Sequence, residues 1–369
     1  MAIDRRLILK GLAVAVTAGM LPAHGRAATP PLYVSCRMNA ANEASVVLFS
    51  RDGAELFSTI LPARGHDSVA CPSNSEIAVF ARRPGNWFIV IDGTRKQLSH
   101  SIIAREGRHF YGHGAYTADG RILYATENDT RTGDGYIGIY DATNGYARIG
   151  EFSSRGVGPH DLAFLPGSGI LAIANGGLRT LPESGREVLN PDDIHPNVAL
   201  VDVRHDQTLA VLDLGSDYSG LSIRHMAIAP DRTIAFGCQQ AGDPSEMPPL
   251  IGLVSSDGKI RLLDMPELDL MRMNNYVGSI ALDAAGTIIA ATSPQGGSVA
   301  LFDRISGNFI ARREMSDVCG VAPLPQARDF MLTSGNAGMR ELDLSRETLD
   351  RIGGPAMQRW IWDNHILPL

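Results

Sequence analysis

Residues 108–129, RHFYGHGAYTADGRILYATEND, decide the fold. They hold a polar turn with His113, a short apolar strand, the reverse-turn signal Ala118-Asp119-Gly120, and a second strand that runs into the acidic tip Glu127-Asn128-Asp129. The same pattern returns along the chain. It reads GHDSVACPSNSEIAVFARR from residue 65, PHDLAFLPGSGILAIANGG from 159, RHMAIAPDRTIAFGCQQ from 224, GSIALDAAGTIIAATSPQ from 278 and VCGVAPLPQARDFMLTSGN from 318. Short strand pairs broken by turn residues, repeating every 40 to 50 residues or so, are the signature of a β-propeller.

The repeat markers lie 47 residues apart from His66 to His113 and again from His113 to His160, then 65 to His225, 54 to Ser279 and 40 to Cys319. The long step is explained by an insertion at 178–197, LRTLPESGREVLNPDDIHPN, rich in Pro, Asn, Asp and Gly. Six units are visible. The early strands LYVSCRM, ASVVLFS and ELFSTI lack a first strand, and the C-terminal RWIWDNHILPL is a first strand with nothing after it. Joined, they complete a seventh blade, and closing the ring in this way removes open sheet edges. The expected fold is therefore all-β, a seven-bladed propeller over residues 29–369 closed by strands from both chain ends.

Composition narrows the function. With 44% hydrophobic and 20% charged residues the chain can build a large core, and a net charge of -7 argues against nucleic acid as a partner. Residues 1–28 read as a leader. Asp4-Arg5-Arg6-Leu7-Ile8-Leu9-Lys10 precedes the moderate apolar run LAVAVTAGMLPA, and Gly25-Arg26-Ala27 offers small residues for cleavage, which is the pattern of a twin-arginine export signal. The run is too short to span a bilayer and no later segment is apolar enough, so the expected product is a periplasmic protein with no membrane span in the mature chain. Cys36, Cys71, Cys238 and Cys319 form no CxxC pair, and small buried strand residues are the expected role, with a disulfide open in an oxidising compartment.

Five of the seven markers are histidines: His66, His113, His160, His225 and His365. The turns into the inner strands and the ends of the second strands meet at one mouth of the channel, so these imidazoles should form a ring there. Around it the second-strand ends bring Arg37, Arg82, Asn175 and Gln239, with Arg224 beside His225, as candidate ligand-binding residues, and Glu127 as the nearest carboxylate for a harder ion. Loops at 128–135, 178–197 and 240–249 hang over the same face. One such histidine alone is more often a hydrogen-bonded structural residue, but five titratable groups at channel positions point to a transition-metal site, iron or copper, or to haem. Opposite sides of the channel look too far apart to share an ion, so His66, His113 and His160 are the expected binding set, with the others facing solvent. Weaker patterns are Asn175-Gly176-Gly177 and Pro294-Gln295-Gly296-Gly297, neither of which opens a helix, Met271-Arg272-Met273, and Arg155 with Arg224 and Tyr276 as an anion site.

The leader and the segments RHFYGHGAYTADGRILYATEND, GVGPHDLAFLPG with IANGG, LSIRHMAIA with FGCQ, PPLIGLV, YVGSIALD, TSPQGG and DVCGVAP resemble an uncharacterised family of exported seven-bladed propellers of proteobacteria. The resemblance covers essentially the whole mature chain. It implies a fold like the YVTN and quinoprotein amine dehydrogenase propellers, and an association with imelysin-type periplasmic proteins of iron uptake. Three functions stay open on the residues: a metal- or haem-binding protein of iron acquisition working with periplasmic partner proteins, a metal- or quinone-dependent oxidoreductase or lyase using the same funnel, and a protein-interaction scaffold with structural histidines.

Overall fold

Each sequence repeat becomes one four-stranded antiparallel sheet, and seven such sheets form the blades of a propeller. The computed structural model describes residues 32–369 apart from Pro84 and Arg186, so the leader assigned to 1–28 lies outside the described residues. Blade 1 takes its inner strand, Ile361–Pro368, from the C-terminus and its other three, Leu32–Met38, Ala44–Ser50 and Glu55–Ile60, from the start of the described chain. Tyr33 pairs with Pro368 and Met38 with Ile361. The closure expected from the two leftover segments is present.

Inner strands of blades 2 to 7 are Gly65–Ala70, Arg108–Tyr116, Pro159–Phe164, Leu221–Ile228, Ser279–Leu282 and Val318–Pro323. Second and third strands such as Glu76–Ala81 (EIAVFA) and Trp87–Asp92 (WFIVID) are buried almost throughout, because a neighbouring blade covers each face. That is why they read as continuous apolar runs rather than alternating ones. Outer strands such as Gln97–Ile103 are largely exposed on one face. Between blades 2 and 3 the packing is aromatic: Phe88 lies 5.2 Å from both Phe110 and Tyr140, centroid to centroid, and all three are buried. Truncating such a ring to Ala costs about 3–5 kcal/mol.

One irregularity recurs and matters for the channel. Six of the seven inner strands carry a register shift at the repeat marker, between Gly65 and Ser68, Phe110 and Gly114, Pro159 and Asp161, Ile223 and His225, Val318 and Val321, and, opposite Ser35 and Arg37, between Trp362 and Ile366. Only Ser279 of blade 6 sits in an unbroken ladder. A bulge places extra residues on one strand and turns their side chains away from the alternation. Gly112 shows the constraint: its φ is +106°, and a Cβ there would stand 2.7 Å from Cδ2 of His66.

All four cysteines are free and buried, and burial pushes the Cys319 thiol up to about 12. No helix among the described residues is long and apolar enough to cross a membrane.

Candidate metal centre

The bulges carry the five marker histidines into the middle of the channel, where they pack on one another. Ring centroids stand 4.6 Å apart for His225 and His365, 4.7 Å for His160 and His225, 4.7 Å for His66 and His365, and 5.0 Å for His113 and His365. His66, His113 and His225 are buried, while His160 and His365 are half-buried. The open ring expected at one mouth is thus a closed septum. His225 and His365, expected to face solvent, belong to it, because the added residue in each bulge lets opposite blades reach the axis.

Two sets of three histidines bring one ring nitrogen each to within 4.8 Å of the others: His66, His113 and His160, and His113, His225 and His365. His113 is common to both. Nε2 of His113, Nδ1 of His160, Nδ1 of His225 and Nε2 of His365 are buried and have no hydrogen-bond partner among the described residues. Buried polar atoms are almost always bonded. Three of the septum histidines have a held nitrogen: Nδ1 of His113 lies 3.0 Å from Oδ2 of Asp67, Nδ1 of His66 lies 3.2 Å from Oδ1 of Asp363, and Nδ1 of His365 lies 3.5 Å from Oγ of Ser279. His113 alone combines a carboxylate on one nitrogen with a buried, partnerless second nitrogen, which is how metal-ligating histidines are oriented.

The protonation states of four of the five histidines suit a cation as well. Burial pushes His66 down to about 4 against the pull of its bond to Asp363. Burial and neighbouring imidazoles hold His160 and His225 well below the ordinary value, and burial does the same to His365 although Asp67 opposes it. His113 alone is raised: burial works against its charged form, but Asp161 and Asp67 outweigh it. Asp67 is held down to about 2 despite burial, chiefly by His113, whereas burial lifts Asp161 to about 6. Neutral imidazole is the form that binds a metal.

The septum divides the channel into two chambers. The upper one, about 450 Å³, is reached by His66, His160 and His225 and is lined by Arg82, Arg83 and Arg224 together with Gln239. Its roof includes Leu178, Thr180 and Val188 of the long insertion and Gln240 and Pro244 of the next loop. Thr180 is pinned there, 2.7 Å from both Tyr111 Oη and Arg83 Nη1. The lower one, about 520 Å³, is reached by His113, His225 and His365 and carries Asp67, Asp161 and Asp283.

Of the residues singled out from sequence, Arg82, Arg224 and Gln239 thus line the upper chamber with the histidines. Tyr276 and Gln295 line it too, and the remaining candidates are placed elsewhere. Glu127 is fully buried but its carboxylate takes a 2.6 Å bond from Tyr140 and a 2.8 Å ion pair with Arg148. Arg37 pairs with Glu55 at 2.6 Å and stacks on Trp360 at 3.7 Å. Asn175 donates to the Ser154 carbonyl of blade 3 and to Asn197 of its own blade 4, both at 2.9 Å. Arg155 binds Asp206 at the surface, and Met273 is fully buried in a hydrophobic cluster. The carboxylates that do address the histidines, Asp67, Asp161 and Asp363, were not picked out from sequence. Their signal was the dipeptide His-Asp at 66–67 and again at 160–161, with Asp-Asn-His at 363–365.

Comparison with known proteins adds the family and the fold. A family model described as "Protein of unknown function (DUF1513)" matches residues 59–369. No curated protein matches the chain. Among solved structures, the chain is similar to Kuenenia stuttgartiensis hydrazine synthase, with a TM-score of 0.60 at 14% identity over 84% of this chain and 90% of that one. It is also similar to the RRP9 WD40 repeats, TM-score 0.57 at 14% identity over 78% of each chain, and to U3-55K, TM-score 0.56 at 14% identity over 78% and 80%. At that identity the likeness is one of fold.

Proposed function

The chain belongs to the DUF1513 family of proteins of unknown function, and from that premise we propose that it is a periplasmic metal-binding propeller that holds one transition-metal ion in the histidine septum and serves iron acquisition. One observation carries the reading. Four of the five septum histidines have a buried ring nitrogen with no hydrogen-bond partner among the described residues. His113 belongs to both three-histidine sets and has its other nitrogen on Asp67, so it offers one atom to one ion at a time. The ion sits on one set or the other.

Imidazole donors suit iron, copper and zinc, and an all-nitrogen set takes copper and zinc more tightly than ferrous iron, so the choice in the cell follows supply. The twin-arginine leader supports delivery to the periplasm, and the resemblance to a family associated with imelysin-type proteins supports iron as the supply. A bare ion fits better than haem. Two imidazoles that clasp a haem stand on opposite faces of the macrocycle, whereas the septum rings pack at 4.6 to 6.4 Å with nothing between them.

A second reading, a metal-dependent enzyme, is favoured by the upper chamber. Three protein ligands leave a position for water or substrate, as catalytic metal sites require. The test of the first reading is elemental analysis of protein purified from its native host, beside a His113→Ala/His160→Ala variant. About one equivalent of iron, copper or zinc in the former and none in the latter is the expected result. No metal in either, and no rise in melting temperature with added Fe²⁺, Cu²⁺ or Zn²⁺, would sink it. Growth of a deletion strain under iron limitation then separates iron supply from copper or zinc handling.

A further inference from the structure

Arg224 is 8% exposed and makes no hydrogen bond or ion pair with any described residue; its Nε is among the buried atoms without a partner. The other two buried arginines are matched. Arg37 pairs with Glu55 at 2.6 Å, and Arg304 pairs with Asp231 at 2.9 Å while also donating to the Gly286 carbonyl. A buried guanidinium without a counter-charge is destabilising by several kcal/mol, so it is rare unless something from outside supplies the anion.

The neighbourhood makes the demand stronger. Arg83 lines the same chamber, and its own bonds go to uncharged oxygens, Tyr111 at 3.3 Å and Thr180 at 2.7 Å. Arg82, the third cation, is committed to Asp363. No Asp or Glu lines the chamber among the described residues.

We propose that the upper chamber binds a small organic anion bearing carboxylate groups, held between Arg83 and Arg224 and roofed by Leu178, Thr180 and Val188. Each guanidinium presents a planar fork that matches a carboxylate in two parallel hydrogen bonds. Tyr276, Gln239 and Gln295 on the same wall offer hydroxyl and amide groups for a polar body between the carboxylates. About 450 Å³ is within the range of small-molecule sites and admits a di- or tricarboxylate of citrate size. The site deepens the metal reading without resting on it. An anion here would face the ring nitrogens of His66, His160 and His225, where a carboxylate oxygen could complete the coordination of an ion, but the two arginines call for the anion whether or not metal is present.

The experiment is calorimetric titration of citrate, with inorganic phosphate as the second probe, into the full protein stripped of metal by a chelator. Citrate should bind, and Arg224→Gln should weaken it about 10- to 100-fold, the factor carried by one charge-assisted pair. Arg224→Met, measured without ligand, should melt at a higher temperature than the wild type because the unpaired charge is gone. Phosphate binding that depends on Arg224, with no citrate binding, would overturn the carboxylate assignment. Absence of binding by both probes, together with a lower melting temperature for Arg224→Met, would overturn the site. His113→Ala keeps the two readings apart: it should abolish metal loading and leave citrate affinity within about twofold, since one imidazole on the far side of the septum contributes nothing to the arginine pair.

Discussion

The chambers above and below the histidine septum share a wall and have opposite chemistry. Three arginines and no carboxylate line the upper chamber, whereas three aspartates and no Arg or Lys line the lower one among the described residues. The difference arises from neighbouring residues on the same bulged strands. Asp67 and Asp161, one residue after His66 and His160, turn to the lower side, whereas Arg224, one residue before His225, turns to the upper. One repeat position therefore yields a cation-attracting and an anion-attracting face separated by the thickness of an imidazole layer. Such a field favours cations on the lower side and anions on the upper.

The largest effect that could break this comparison is at His113, the only member of both three-histidine sets. His113→Ala should lower zinc affinity by more than about 100-fold in a competition titration, well beyond His160→Ala or His365→Ala, each of which spoils one set. A loss at His160 equal to that at His113, with His365 silent, would assign the ion to the upper set. Next comes Asp67→Asn, which keeps the shape but removes the charge that orients His113. It should cost about 10- to 100-fold in metal affinity with little change in melting temperature.

A smaller effect sharpens the contrast through pH. In chelator-stripped protein His66, His160, His225 and His365 have folded-state values below their unfolded ones, so the unfolded chain binds more protons as pH falls through 6.5 toward the value of about 4 for His66. The stability they contribute is present above pH 6.5 and is lost on acidification, on the order of 1 kcal/mol per pH unit for each histidine in its window, with raised His113 offsetting part. Melting temperatures from pH 7.5 to 5 check it, and a flat profile would mean that the rings are hydrated rather than packed. Glu127→Gln should have the least effect on the site. Metal loading should be unchanged, while the melting temperature falls by a few degrees as Arg148 loses one of its two carboxylates.

How much of this could be read from the chain differs between fold and site. The blades were legible because each unit carries its own turn residues and strand pair, and the closure because LYVSCRM and RWIWDNHILPL each lacked what the other supplied. The five histidines were legible as a set for the same reason. Their convergence was not, since alternation along a regular strand keeps markers at the mouth, and a bulge leaves no mark in a period of two. The same blindness hid Asp67 and Asp161: strict alternation places the residue after a ligand on the other face. Glu127 misled because an acid at a strand end looks available, while the partners that occupy it, Tyr140 and Arg148, lie on the next two strands of its blade.

The shared blade that closes the ring also sets the order in which the protein can become competent. Residues 361–368 are synthesised after every other described strand of the ring, yet they bring His365 to the septum and Asp363 to His66, Arg64 and Arg82. A chain that lacks this strand has a half-built septum and leaves Arg64 and Arg82 without their carboxylate, so the second three-histidine set can form only after the strand has joined blade 1.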